Sequence, residues 1–169
     1  IIGNMRTVAL GGMNGSIDWL CLPRIDSPSV FAGILDEHKG GHFKIAAASS
    51  EVTHKQLYWP ETNVLVTRFL SHDGVGEIRD FMPIEDTDNP SSWNRIVRLV
   101  TTNRGTMRFR MECQPAFDYA RGRHETRLSP DGASFMSSEV GLALESAVPL
   151  ERDGTGVSAE FTLHEGQTK

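Results

Sequence analysis

The sequence predicts an all-β fold: an antiparallel two-sheet β-sandwich with at most one or two short helical turns. Three observations carry this. Apolar and polar residues alternate with a period of two over residues 107–114 and again over 157–163. Residues 64–70 and 95–101 are short runs rich in β-branched side chains. Asn-Gly and Asp-Gly pairs punctuate the chain at short intervals. Side chains on a strand point to opposite faces in turn, so alternation offers one face to a core and one to water. Many short strands with regular turns close into a sandwich or barrel.

The elements follow in order. Residues 7–10 and 17–22 flank Asn14-Gly15, which reads as a two-residue type I′ turn because both its central positions need positive φ. With Ser16 the same residues match a glycosylation sequon, though the turn explains them without modification. Residues 29–35 are the best helical candidate. Ser27 is placed to cap it, Pro28 suits its first turn, and Gly33 limits it to one or two turns. Residues 64–70 and 95–101 read as buried strands. Residues 76–83 read as a strand ended by Pro83, which lacks a ladder donor. Over 107–114, Met107, Phe109, Met111 and Cys113 share one face; over 157–163, Val157, Ala159, Phe161 and Leu163 do. Turns are expected at His72-Asp73-Gly74, Asn103-Arg104-Gly105, Pro130-Asp131-Gly132 and Arg152-Asp153-Gly154. A polar loop is expected over 86–92.

Composition bounds the rest. The chain has 169 residues, the size of one domain, with 38% hydrophobic and 23% charged residues, which suits a globular core. Seventeen Lys and Arg against 22 Asp and Glu give a net charge of -5. That balance argues against a nucleic-acid binder and against an anionic membrane surface as partner. No apolar run approaches the roughly 18 residues of a membrane-spanning helix, and the first twelve residues do not read as a secretory leader. Cys21 and Cys113 read as two buried thiols; a disulfide between them is the alternative, without support from spacing. So few cysteines fit a cytoplasmic location.

Several residues are candidates for chemistry. His38 and His42 flank Lys39-Gly40-Gly41 at a spacing that could chelate a metal on a helix, but the paired glycines favour a surface turn, and no metal or cofactor is expected. Asp80, Glu85, Asp86 and Asp88 form a carboxylate cluster of the kind glycoside hydrolysis uses in pairs. Three of the four fall in the polar loop, where nothing apolar would raise a pKa. Asp80 sits in a strand and is expected to pair with Arg79 or Arg98. Residues 15–36 are denser. Asp18 interrupts an apolar strand beside Trp19, and Pro23-Arg24-Ile25-Asp26-Ser27-Pro28 is a loop stiffened by two prolines. Arg24, Asp26 and Ser27 could present donors and acceptors to a sugar or to another domain, or simply hold the loop by pairing.

Gly15 to Asp36, reading G-S-I-D-W-L-C-L-P-R-x-D-S-P-S-V-F-A-x-x-L-D, resembles the N-terminal domain of bacterial glycoside hydrolase family 15 enzymes, the glucoamylase-like and trehalase-like proteins. The likeness continues through Lys39-Gly40-Gly41, Thr62-Asn63-Val64-Leu65, Asp80-Phe81-Met82-Pro83, residues 108–112, Phe117-Asp118-Tyr119 and Val148-Pro149-Leu150. It is colinear over almost the whole chain. The resemblance implies a single sandwich domain over 1–169, N-terminal to a catalytic (α/α)6 barrel absent from this chain. It implies a parent that hydrolyses α-glucosidic bonds with inversion, and an inactive fragment that supports the barrel. The 23–28 loop would then stand at the active-site rim. Ile25 occupies a position where the family usually has Phe, and makes only apolar contact where an aromatic ring would stack on a sugar.

The leading expectation is therefore a non-catalytic domain whose partners are its own catalytic barrel and an α-glucoside substrate, with Asp18, Trp19, Arg24, Asp26 and Ser27 as rim or interface residues. The alternative is a self-standing carbohydrate-binding module, which would expose aromatic platforms. Trp19, Trp59 and Trp93 are each expected to complete the core instead.

Overall fold

The computed structural model describes residues 1–49, 51–84 and 93–169. Glu85, Asp86, Asp88 and the loop expected at 86–92 lie outside the described residues. The strands in chain order are β1 (Ile2–Gly3), β2 (Val8–Gly11), β3 (Ser16–Cys21), β4 (Ser29–Phe31), β5 (His42–Ala47), β6 (Thr53–Tyr58) and β7 (Leu65–Leu70). There follow β8 (Gly74–Phe81), β9 (Val97–Gln114), β10 (Glu125–Ser129), β11 (Gly132–Met136), β12 (Gly141–Glu145), β13 (Glu151–Asp153) and β14 (Gly156–His164). All the pairings among them are antiparallel, and the fold is the all-β class expected, consistent with a sandwich.

β9 organises the molecule. Its first part pairs with β8, in the order β9-β8-β7-β6. Its second part lies between β5 and β14, and β5 leads on through β3 and β2 to β1. One 18-residue strand thus belongs to both layers of a curled sheet. The layers part at Gly105, whose φ is +70°; a Cβ there would fall 2.2 Å from the Asp73 carbonyl oxygen. The turn expected at Asn103-Arg104-Gly105 is therefore a bend inside a continuous strand. Ladder pairing passes from β8 to β14 across it, with a register shift that leaves Asn103 unopposed, so the chain never reverses.

The alternation reads out residue for residue. Met107 faces Leu163, Phe109 faces Phe161, Met111 faces Ala159 and Cys113 faces Val157. On the other side of β9, Phe43, Ile45 and Ala47 face Cys113, Met111 and Phe109. Such cross-strand pairs are the unit of sheet stabilisation. Ile45, Phe69, Ile78, Val100, Met107 and Phe109 form part of one buried cluster, while Ile17, Leu20, Phe31, Leu65, Met82 and Phe117 form part of another. The small sheet β10-β11-β12 joins the latter through Ala133 and Phe135. The strands β5, β6 and β10–β12 are not anticipated by the sequence reading; each spans only five or six residues of mixed polarity.

Two local expectations are corrected. Residues 29–31 are strand, not helix: Cys21 pairs with Ser29 and Leu20 with Phe31, leaving Val30 as a bulge. All three are buried, so β-pairing and apolar burial outweigh the cap signals at Ser27 and Pro28. The β2–β3 connection is also longer than a two-residue turn. Gly15 N–H donates to Gly12 O at 3.1 Å, Gly12 N–H donates to Ser16 O at 2.7 Å, and of the Asn-Gly pair only Gly15 takes positive φ, +81°. This is the three-residue hairpin in which a left-handed residue completes a type I turn. The turns at His72-Asp73 and Pro130-Asp131 close their hairpins as expected, whereas the one expected at Arg152-Asp153-Gly154 falls later, at Gly154-Thr155, because Arg152 and Asp153 pair with Val157 and Gly156 in the ladder.

Asp80 meets Arg98, one of its two expected partners. Arg98 Nε and Nη2 donate to the two carboxylate oxygens at 2.8 and 3.1 Å, Nη1 donates to Phe43 O, and Nη2 also donates to Gly15 O. Both side chains are 3% exposed. The guanidinium also stands 4.7 Å from the Phe43 ring centroid. A fully paired buried ion pair therefore ties β8 and β9 to the β3 hairpin and β5.

Candidate functional site

The sequence-predicted site residues fall into two groups along one stretch of chain. Asp18 is the extra residue of a β-bulge: Leu10 pairs with Trp19 and Gly11 with Ile17, so nothing opposes it. Bulges re-aim side chains, and this one explains why a carboxylate sits inside an apolar strand. Ser16 Oγ donates to Asp18 Oδ1 at 2.5 Å. Gly12 and Gly33 pack against the carboxylate closely enough that an added Cβ would come within 3.1 and 3.5 Å of its oxygens. Trp19, half-buried, tilts against Tyr119 with centroids 6.1 Å apart.

The second group is the proline-framed loop. Arg24 Nε and Nη2 donate to Asp26 Oδ1 and Oδ2, both at 3.0 Å, with most of each side chain exposed. Ser27 Oγ accepts from Arg24 N–H at 3.1 Å, and Ser27 N–H donates to Arg24 O at 3.1 Å. Ile25 N–H donates to Arg6 O, and Asn94 Nδ2 donates to Pro23 O, so the first half of the loop is anchored. The loop is thus a braced fork whose outer surface meets solvent. Among the described residues no hydrogen bond or ion pair joins it to Asp18 or Trp19.

The sequence reading missed the element that Trp19 touches. Phe117–Ala120 is a helical turn, and Asp118, Tyr119 and Ala120 all take positive φ, at 51°, 55° and 64°. A left-handed turn of three non-glycine residues costs about 1–2 kcal/mol per residue, so its surroundings must hold it. Tyr119 N–H donates to Ser29 Oγ at 3.1 Å, Gly122 N–H donates to Phe117 O at 2.9 Å, and Arg121 Nη2 donates to Asp118 Oδ1 at 2.8 Å. Phe117 is buried beneath. Only the Phe-Asp-Tyr motif marked this segment in sequence, and nothing in its composition announces left-handed winding.

Two tryptophans expected in the core lie outside it. Trp59 is 47% exposed, with the Arg79 guanidinium 4.8 Å from its ring centroid, and Trp93 is 65% exposed. The His38–His42 segment divides: His38 is exposed in a turn, whereas His42 begins β5 and is half-buried. Among the described residues no three His, Cys, Asp or Glu side chains gather to hold a metal ion. Cys21 and Cys113 are buried free thiols, and burial pushes the Cys113 thiol up to about 12.

A family model described as trehalase-like, N-terminal, matches residues 1–164. The chain belongs to this family. Proteins named trehalase are its relatives. One from Thermoplasma volcanium is 32% identical over 154 residues, covering 90% of this chain and 25% of that protein. Trehalase 1 of Sulfolobus acidocaldarius is 38% identical over 152 residues, 89% of this chain and 25% of that protein. The trehalase of Mycobacterium tuberculosis is 33% identical over 134 residues, 71% of this chain and 20% of that protein. The trehalase-like chain therefore spans about a quarter of the length of the relatives it matches. No solved structure matches it significantly. No helix among the described residues is long and apolar enough to cross a membrane.

Proposed function

We propose that this trehalase-like domain is the non-catalytic N-terminal sandwich of a family 15-type glycoside hydrolase that cleaves an α-glucoside, trehalose foremost, with inversion. The observation that carries the reading is that curated trehalases match the chain over one quarter of their own length. In this reading residues 1–169 form one domain, the acid and base belong to a catalytic (α/α)6 barrel elsewhere in the full-length protein, and the sandwich supports that barrel. The 24–27 loop supports a rim role because it is braced from within yet exposed outward. A cytoplasmic location is supported by two thiols kept free and buried.

The test is kinetic. In the full-length protein, Arg24→Ala and Asp26→Ala lower trehalose turnover several-fold, while the unfolding free energy falls by less than about 1 kcal/mol, as for an exposed ion pair. Unchanged kcat and KM in both variants would leave the loop a structural brace. Trehalose hydrolysis by the purified 169-residue chain would overturn the non-catalytic assignment.

One observation favours a second reading, a carbohydrate-binding module: the exposure of Trp59 and Trp93. Titrating the chain with trehalose, maltose and soluble starch while recording tryptophan fluorescence separates the two. Saturable quenching, lost in Trp59→Ala, supports the module; a flat response supports the scaffold.

A further inference from the structure

Over its first part β9 pairs with β8 on one edge, and its other edge is only partly covered. There residues 165–169 carry on from β14. Thr102 N–H donates to Gln167 O at 3.1 Å, Thr168 bridges Thr101, and Val100 and Lys169 exchange both of their backbone bonds, at 2.8 and 2.9 Å. In an antiparallel ladder such doubly bonded positions recur at every second residue. The next groups turned to this edge are therefore the N–H and C=O of Arg98. Among the described residues no strand pairs with Arg98 on that side, and no backbone bond reaches it from a turn or loop. An edge left open in this way is a template for a further extended segment.

A small groove of about 110 Å³ adjoins it, lined by Ile96, Arg98, Val100 and Lys169 together with Phe43 and residues 144–148. That is well under the roughly 300 Å³ at which small-molecule sites begin, and it matches the scale of an apolar side chain. The Arg98 guanidinium is already engaged by Asp80 and two carbonyl oxygens, so it offers a polar ligand little. Leu99, on the opposite face of the strand, is left 36% exposed. Main-chain groups on an open edge, beside a pocket for alternate side chains, are the elements of strand addition.

We propose that in the full-length protein the residues immediately after Lys169 occupy this edge, prolonging the 166–169 pairing along β9 past Arg98 to Ile96. The proposal rests on the reading of a longer parent, whose relatives match this chain over a quarter of their length. Direction selects the occupant. Lys169 already pairs with Val100, so a chain that keeps its course meets Arg98 at the second residue and Ile96 at the fourth. A tethered segment also outcompetes a free one, because its effective concentration is on the order of millimolar. The second and fourth residues share the face of Arg98 and Val100 and are expected to be apolar. The path leads toward Asn94, whose Nδ2 holds Pro23 O at 2.9 Å. The added strand thus brings the connection to the catalytic domain out at the end of the sandwich that carries the braced loop.

The experiment is hydrogen–deuterium exchange on the full-length protein, read at single-amide resolution by mass spectrometry, at a low and a high protein concentration. The Arg98 amide is expected to exchange about a hundredfold or more slower than in the unfolded chain. The amide of the second residue after Lys169 is expected to do the same, and both at either concentration. An Arg98 amide exchanging at the unfolded rate overturns the proposal. So does protection of Arg98 without protection after Lys169, which assigns the edge to another segment. Protection that grows with concentration assigns it to a second copy and overturns the proposal as well, as do charged residues at both the second and the fourth position. Trehalose turnover is not the readout, so failure here leaves the hydrolase reading standing, and failure of that reading leaves this edge testable.

Discussion

Arg98 is the residue on which both layers converge, and its five donors in a rigid fork explain how it serves Asp80 and two carbonyl oxygens at once. Removing one member strands a buried charge. Arg98→Leu is expected to cost about 3–5 kcal/mol in urea denaturation. Replacing both members together, as Asp80→Leu/Arg98→Met, costs less than the single change, because no unpaired charge remains. Glu77 is a second buried carboxylate, held between Arg79 and Arg68. Burial pushes its pKa up, but hydrogen bonds from Arg79, Arg68 and Asn103 and the Arg79 charge outweigh that and set it below the ordinary Glu value. A depressed folded pKa contributes stability above the unfolded value and loses it as pH falls through the folded one. Glu77→Gln should therefore flatten the acid limb of a stability–pH curve while lowering stability near neutrality; parallel curves for the two proteins would contradict this. The pairing of Asp80 was legible as one of two arginines because Asp80 falls in a strand with Arg79 beside it, not in the polar loop that follows. The partnership of Glu77 was not, since it depends on the β7–β8 register that brings Arg68 opposite it.

At the scale of elements, the sequence was most readable where one face is buried and the other wet. Residues 107–114 and 157–163 pair with each other because each supplies an apolar face of the same period. Legibility failed where a local signal had two meanings. Asn103-Arg104-Gly105 carries turn chemistry, but the left-handed glycine bends a strand between layers instead of reversing it. Gly105→Val should lose several kcal/mol of stability by denaturant titration, combining positive φ with the close approach of the Asp73 carbonyl. The left-handed turn gives the opposite prediction. Ala120 is exposed with φ of 64°, so Ala120→Gly relieves strain and should raise stability by up to about 1–2 kcal/mol. A fall in the denaturation midpoint would show that the turn is not strained at that residue. Of the candidate site, the braced loop was visible through its prolines. The left-handed turn beside Trp19 was not, because its positive φ values are held by contacts such as Tyr119 N–H to Ser29 Oγ, which only the folded chain brings together.

For the whole molecule, the two buried clusters share residues packed against both of them: Phe43, Leu144 and Leu150 are partly buried against each. Together with a strand common to both layers, this makes independent melting of one layer unfavourable, and calorimetry of the purified chain should show one cooperative transition. β9 has a further consequence for synthesis. Its second part is covered on one side by β14, whose residues are translated some forty to sixty positions later. Until that segment leaves the ribosome, the nascent chain carries an open, apolar-faced strand edge at its centre, the sort of surface that invites mispairing. Completion of the sandwich is therefore a late event, set by the arrival of Val157, Ala159, Phe161 and Leu163 rather than by the early hairpins.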